Sequence, residues 1–127
     1  MAVKSVKQLV GDAGKSVEAL SGQEAAKLVG DPGVQFVDVR EGEELQETGR
    51  SRGALHVPRG LLEFQADPSS PTHKPQLGED SGLVLYCAFG GRSAPAAQTL
   101  KDMGFDRVAH VEGGFPGLRD AGVPLEP

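Results

Sequence analysis

The sequence predicts an α/β fold in which a parallel sheet carries helices on both faces. Three observations point there. Two compact apolar runs, Val34-Gln35-Phe36-Val37-Asp38-Val39 and Leu83-Val84-Leu85-Tyr86-Cys87, read as buried strands. Segments with helical spacing of apolar residues lie between the strands, and Gly or Pro clusters mark the element ends. Strands that alternate with helices build βαβ units, which place the strands parallel.

Each element has a local cause. Val3, Val6, Leu9 and Val10 give the first residues a weak helical pattern, which Gly11-Asp12-Ala13-Gly14 is expected to break. Val17 to Leu20 alternates and reads as an edge strand. Ser21 with Glu24 three residues later forms a capping box, and Ala25, Ala26, Leu28 and Val29 supply the helix face behind it. Gly30-Asp31-Pro32-Gly33 stops that helix, and the strand Val34–Val39 follows. Arg40 to Gln46 reads as a short helix whose acidic first turn suits the positive end of the helix dipole. Gly49 to Gly53 is expected to be a turn, Ala54 to Val57 a brief strand closed by Pro58, and Leu61 to Phe64 one helical turn.

Residues 65–82 hold Asp67-Pro68-Ser69-Ser70-Pro71 and Pro75, which argues for a long surface loop. After the strand Leu83–Cys87, Ser93 opens a helix on which Ala96, Ala97, Leu100 and Met103 share one face, ended by Gly104. Arg107 to Val111 is a further strand. Glu112-Gly113-Gly114 is a tight turn, a last helix runs near Phe115 to Ala121, and Gly122-Val123-Pro124 closes the chain.

Composition narrows the function classes. With 127 residues the chain is expected to be one domain, residues 1–127, with 1–14 as an N-terminal helical extension. Hydrophobic residues at 38% and charged residues at 24% give a globular balance. The net charge of −5 argues against nucleic acid as a partner, since phosphate-backbone binders need a basic face. No apolar stretch is long enough to span a membrane, and Met1 to Val10 lacks the apolar core of a secretory signal. One cysteine and three scattered histidines make neither a disulfide nor a zinc site, so no metal or cofactor is expected. The free thiol suits a reducing, cytoplasmic location. The 18 glycines are about twice the ~9 that average usage of ~7% would give, so the chain demands many unusual turns.

The sharpest feature is Cys87-Ala88-Phe89-Gly90-Gly91-Arg92-Ser93. A cysteine at the carboxyl end of a buried strand stands where open α/β sheets bind ligands. A loop that runs into a helix N-terminus can aim backbone N–H groups inward, and Gly90 and Gly91 permit the positive-φ turns of such a cup. Arg92 adds a cation near the rim. All of this favours thiolate over thiol, so Cys87 is the expected nucleophile. The competing view is that a strand-end cysteine is a small hydrophobe. A packing role, however, does not require Gly-Gly-Arg-Ser behind it.

Cysteine, four residues, then arginine resembles the loop of the rhodanese superfamily, and four further segments match in order. Val37-Asp38-Val39-Arg40 with Glu43-Glu44-Leu45 resembles the family's Asp-Val-Arg strand and acidic helix. Gly53-Ala54-Leu55-His56-Val57-Pro58 is similar to its Gly-Ala-x-x-(Ile/Val)-Pro segment. Glu112-Gly113-Gly114-Phe115 and Ala121-Gly122-Val123-Pro124 are similar to its C-terminal segments. The resemblance implies a rhodanese-like fold with a mostly parallel five-stranded sheet. It also implies sulfurtransferase activity through a cysteine persulfide. Thiosulfate or a similar small anion would be the donor, and cyanide, a thiol or a protein the acceptor. Many members carry Trp shortly after Gly-Gly-Phe, where this chain has Pro116-Gly117-Leu118, so Leu118 is expected to fill the place of the indole.

The remaining candidates have assigned places. Ala88, Phe89, Gly90, Gly91, Arg92 and Ser93 are expected to bind the substrate sulfur, with Phe89 as a pocket wall. Arg92 either orients an anionic donor or bridges the loop to a carboxylate. Arg59 is placed at the pocket mouth, with a solvated charge as the alternative. Asp38 and Arg40 end a strand at the ligand edge and are expected to hold loops. His56, His73 and His110 receive no catalytic role, and Glu41, Glu43, Glu44 and Glu47 read as a solvated helix face. The 65–82 loop is a candidate roof over the pocket. Two other functions compete. A phosphatase or arsenate reductase also sets Cys and Arg around an anion loop, with five intervening residues rather than four. A noncatalytic interaction or sulfur-relay module could use the same scaffold.

Overall fold

The computed structural model describes residues 2–127. Five parallel strands form the central sheet: β1 (Glu18–Leu20), β2 (Val34–Asp38), β4 (Leu55–His56), β5 (Gly82–Tyr86) and β6 (Val108–Val111), in the order β1-β6-β5-β2-β4. The expected parallel sheet with helices on both faces is what forms. Strands β5 and β2 lie at its centre, which is why they are the two most continuously apolar runs.

Side-chain alternation along the strands divides the interior in two. Val37, Val39, Leu83, Leu85, Cys87 and Val108 face one core with Ala96, Ala97 and Leu100 of helix α5 (Ser93–Asp102). Phe36, Val84, Tyr86 and Val111 face the other, with Ala25 of α2 (Gly22–Ala26) and Phe115 and Leu118 of α6 (Gly114–Asp120). Leu118 is fully buried there, packed in the α6-side core.

Caps fix the helix starts. Ser21 accepts from the Glu24 N–H while Glu24 accepts from the Ser21 N–H, the expected box at α2. A second box, Glu41 with Glu44, starts α3 (Gly42–Thr48). A third, Ser5 with Gln8, starts α1 (Val6–Gly14). This last helix departs from the sequence reading, because it runs through Gly11 to Gly14 instead of breaking there. The cap and the burial of Ala13 outweigh the glycine penalty of about 1 kcal/mol per residue. Lys101 of α5 also donates to the Ser16 carbonyl at 2.6 Å, which ties the end of α1 to α5.

Two other departures concern short elements. Arg50–Ser51, expected within a turn, is β3, and it pairs antiparallel with β7 (Leu125–Glu126) near the chain end. Two-residue strands have no periodicity to detect, and their partners lie far apart in sequence. The segment after Pro58 forms a 3₁₀ turn (Arg59–Leu61) that runs into α4 (Leu62–Ala66), longer than the single helical turn expected. Residues 67–81 contain no helix or strand, as expected of a loop, yet Leu77 is buried in the α5-side core and anchors it. Among the described residues no helix is long and apolar enough to cross a membrane.

Candidate active site

Cys87 follows the last residue of β5, and its side chain points to the α5 side of the sheet. The loop after it curls so that three N–H groups donate to its sulfur: Gly90 at 3.1 Å, Ser93 at 3.3 Å and Arg92 at 3.4 Å. The Ser93 hydroxyl lies 3.5 Å from the same sulfur. Gly90 makes the curl possible. Its φ is +89°, and a Cβ there would stand 2.7 Å from the Glu112 carbonyl oxygen. Gly91 has no positive φ, so only one of the two glycines is needed for backbone reasons.

The expected cup of amides therefore exists, formed by Gly90, Arg92 and Ser93. Burial alone would raise the Cys87 pKa. Hydrogen bonds from the Ser93 hydroxyl and from the Ser93 and Arg92 amides more than offset it, so the thiol sits below its ordinary value. The amino end of α5 points its dipole at the same atom. Cys87 is only 1% exposed and forms the floor of a cavity of about 410 Å³.

The walls of that cavity differ from the sequence reading. Ala88, Phe89, Gly91 and Arg92 line it from the loop, as expected, and Phe89 stands 82% exposed at its rim. The opposite wall is Val6, Lys7 and Val10 of α1. No residue of 65–82 lines it, so the proposed roof is corrected: the N-terminal helix borders the cysteine, and the long loop does not. Arg59 is corrected as well. It pairs with Glu63 at 3.1 Å, donates to Thr99 Oγ1 at 3.2 Å, and faces a different hollow lined by Lys4, Leu9 and Pro95. The 3₁₀ turn after Pro58 brings its side chain to Thr99 of α5, and it does not line the Cys87 cavity.

Arg92 shows which of its two roles the geometry favours. Its guanidinium makes a bidentate pair with Glu44, both bonds at 2.8 Å. Glu44 is therefore not part of a solvated face. Arg92 holds its carboxyl at a pKa of about 2. The folded value lies below the ordinary one, so the contribution to stability is present at neutral pH and is lost progressively as the pH falls from the ordinary carboxylate value toward about 2. A guanidinium engaged this way ties loop to helix. We expect Arg92→Ala and Glu44→Gln to lower turnover by similar factors, and equally for anionic and neutral donors. A loss confined to anionic donors in steady-state assays would instead assign Arg92 to donor binding.

Asp38 and Arg40 do hold loops. The buried pair meets at 2.7 Å, Asp38 Oδ1 also accepts from the Arg40 N–H, and Arg40 donates to Thr48 Oγ1 and the Gly49 carbonyl. Arg40 lies over the Phe115 ring, 4.3 Å from its centroid. His56 packs through a 2.7 Å hydrogen bond to the Arg40 carbonyl, and His73 is half-buried in the long loop. His110 is the residue sequence reasoning undervalued. Its Nδ1 lies 3.0 Å from Ser93 Oγ, one hydrogen bond from the sulfur. Gly114 completes the site from behind: at φ +61°, any Cβ there would overlap the Ala88 carbonyl oxygen.

The chain is similar to known proteins in sequence and in fold. The tRNA uridine(34) hydroxylase of Escherichia coli is 31% identical over 118 residues, covering 90% of this chain and 33% of that protein. The chain thus spans about a third of the length of the curated relatives it matches. A Rhodopseudomonas palustris protein of unknown function, named a possible tyrosine phosphatase, superimposes with a TM-score of 0.93 at 43% identity, covering 99% of this chain and 97% of that one. The polysulfide-sulfur transferase of Wolinella succinogenes gives a TM-score of 0.75 at 29% identity, covering 94% and 85%. The sequence pattern of the Rhodanese-like domain matches residues 21–121, from the cap of α2 to the end of α6, and the chain belongs to that family.

Proposed function

We propose that this chain is a sulfurtransferase that moves a sulfane sulfur from thiosulfate or a persulfide donor to a thiophilic acceptor through a persulfide on Cys87. The observation that carries the reading is the convergence of three amides on one cysteine sulfur at the floor of a cavity. Family membership and the likeness to a polysulfide-sulfur transferase support sulfur transfer in general. Residues 1–127 act as one domain in this proposal, working in the cytoplasm without a metal or organic cofactor.

The reaction has two displacements. The Cys87 thiolate attacks the outer sulfur of thiosulfate. The S–S bond to the sulfonate breaks, sulfite leaves with the bonding pair, and Cys87 carries a persulfide anion. An acceptor thiolate or cyanide then attacks the terminal sulfur, and the Cys87 thiolate leaves. The leaving group in each step is an anion stable in water, so neither step needs a proton donor. The converging N–H groups stabilise negative charge on sulfur throughout, as donors do in an oxyanion hole.

Phosphate-ester hydrolysis, suggested by the name of the Rhodopseudomonas relative, asks for more. Its leaving alkoxide needs a proton, and no carboxylic acid lines the Cys87 cavity among the described residues. Mass spectrometry after thiosulfate exposure is expected to show one added sulfur on Cys87, and cyanide is expected to remove it. An unmodified Cys87 together with turnover of an aryl phosphate would replace this proposal with the phosphatase reading.

The walls of the cavity bear on the acceptor. With Val6, Val10 and Phe89 around the sulfur, an acceptor thiol with an apolar body gains contacts that cyanide cannot make. One buried methylene is worth ~0.8 kcal/mol, or about fourfold. Val6→Glu is expected to slow apolar thiol acceptors by about that factor or more relative to cyanide. Deleting the loop tip 68–72 is expected to leave the ratio unchanged. A changed ratio in the loop deletion alone would restore the long loop as the roof.

A further inference from the structure

One buried titratable group is left without a task by the scheme above. His110 is 5% exposed on β6, on the sheet face that carries Cys87 and α5. Its Nδ1 is 3.0 Å from Ser93 Oγ, which lies 3.5 Å from Cys87 Sγ. We propose that His110 is a positioning residue whose Nδ1–H holds the Ser93 hydroxyl in the orientation that donates to the Cys87 sulfur.

Proton bookkeeping leads to this assignment. A serine hydroxyl has one proton and can accept as well. If Nδ1 were the acceptor, that proton would be spent on the ring and the sulfur would lose its hydroxyl donor. If Nδ1 carries hydrogen, the ring donates to Oγ and the hydroxyl proton is free for the sulfur. A thiolate can only accept, so an ionised Cys87 selects the second arrangement. No proton is transferred: the ring stays neutral and the hydrogen remains on Nδ1. Burial lowers the His110 pKa and the Glu112 carboxylate only partly opposes that, which keeps the ring uncharged near neutrality. Among the described residues, two titratable groups bear on the ring. Glu112 lies in the turn just after its strand, and Cys87 acts on it through Ser93 of α5. The paired positions Ala19 on β1 and Leu85 on β5 are apolar.

The inference rests on the reading of Cys87 as a reactive thiolate, and it concerns ionisation rather than sulfur. Its test therefore uses no sulfur donor, and a failure of sulfur transfer would leave it standing. The rate of Cys87 alkylation by iodoacetamide is followed against pH. In His110→Leu the midpoint is expected to rise by about one pH unit, so that alkylation below the midpoint is about tenfold slower while the high-pH plateau is unchanged. His110→Asn offers an N–H donor near the place of Nδ1 and is expected to recover most of that loss. A leucine variant with the parent midpoint, or an asparagine variant no better than leucine, would overturn the assignment. The ring itself gives a second reading that needs no variant. Nitrogen NMR of the parent protein near neutral pH is expected to show hydrogen on Nδ1 of His110, and a ring protonated only at Nε2 would equally refute it.

Discussion

Cys87→Ser is expected to bring thiosulfate-to-cyanide turnover down to the uncatalysed background, a loss of at least about a thousandfold. A serine hydroxyl stays un-ionised at neutral pH and cannot hold a sulfane sulfur as a stable persulfide. The amide cup would remain, because Gly90 and Ser93 are fixed by backbone geometry and by α5, so circular dichroism and thermal unfolding should change little. The pH profile of the parent protein supplies a second check. With its pKa lowered, Cys87 reacts as thiolate at a pH where an ordinary cysteine, at about 8.5, is still mostly protonated. The alkylation rate should rise with pH and level off, with its midpoint below that ordinary value. A serine variant that still turned over thiosulfate would remove Cys87 from the reaction.

The second large effect concerns stability. Asp38→Ala is expected to destabilise the protein by about 3–5 kcal/mol, because it leaves the Arg40 guanidinium buried without its counter-ion. For a domain whose total stability is of order 5–15 kcal/mol, that is a large share. Urea unfolding should show the midpoint fall with little change in slope. The carbonyl of Gly49 and the hydroxyl of Thr48 keep two of the arginine's hydrogen bonds, so the loss is less than for a wholly stranded charge. Replacing both members, as Asp38→Leu with Arg40→Met, should cost far less than Asp38→Ala alone. If the single and double variants were equally destabilised, the contribution would belong to packing against Phe115 rather than to the charge pair.

The central strands and the cysteine loop were legible because each writes its structure locally. An apolar run marks a strand buried on both faces, and Cys87 to Ser93 puts nucleophile, turn glycine and helix start within seven residues. The five matching segments fixed the family for the same reason: they are contiguous motifs in a fixed order. What escaped depends on contacts between distant parts of the chain. Glu44 lies 48 residues from Arg92, and nothing near Glu44 distinguishes it from Glu43 or Glu47 until the fold joins them. His110 acquires its role only when β6 is laid beside β5 and α5 starts above them. The N-terminal helix was read as ending early because Gly11 and Gly14 weigh heavily in any local scale. Its place against the cysteine cavity follows from docking on α5, which no local pattern encodes.

The segment after β6 packs its backbone directly on the reactive loop. Gly114 has no room for a side chain beside the Ala88 carbonyl, and the Phe115 N–H donates to the Cys87 carbonyl at 2.8 Å. A graft of residues 87–93 onto a foreign scaffold would therefore carry over the thiol but lose the brace that aligns it. Transplanting this chemistry requires moving both segments, 87–93 and 112–115, as one composite part.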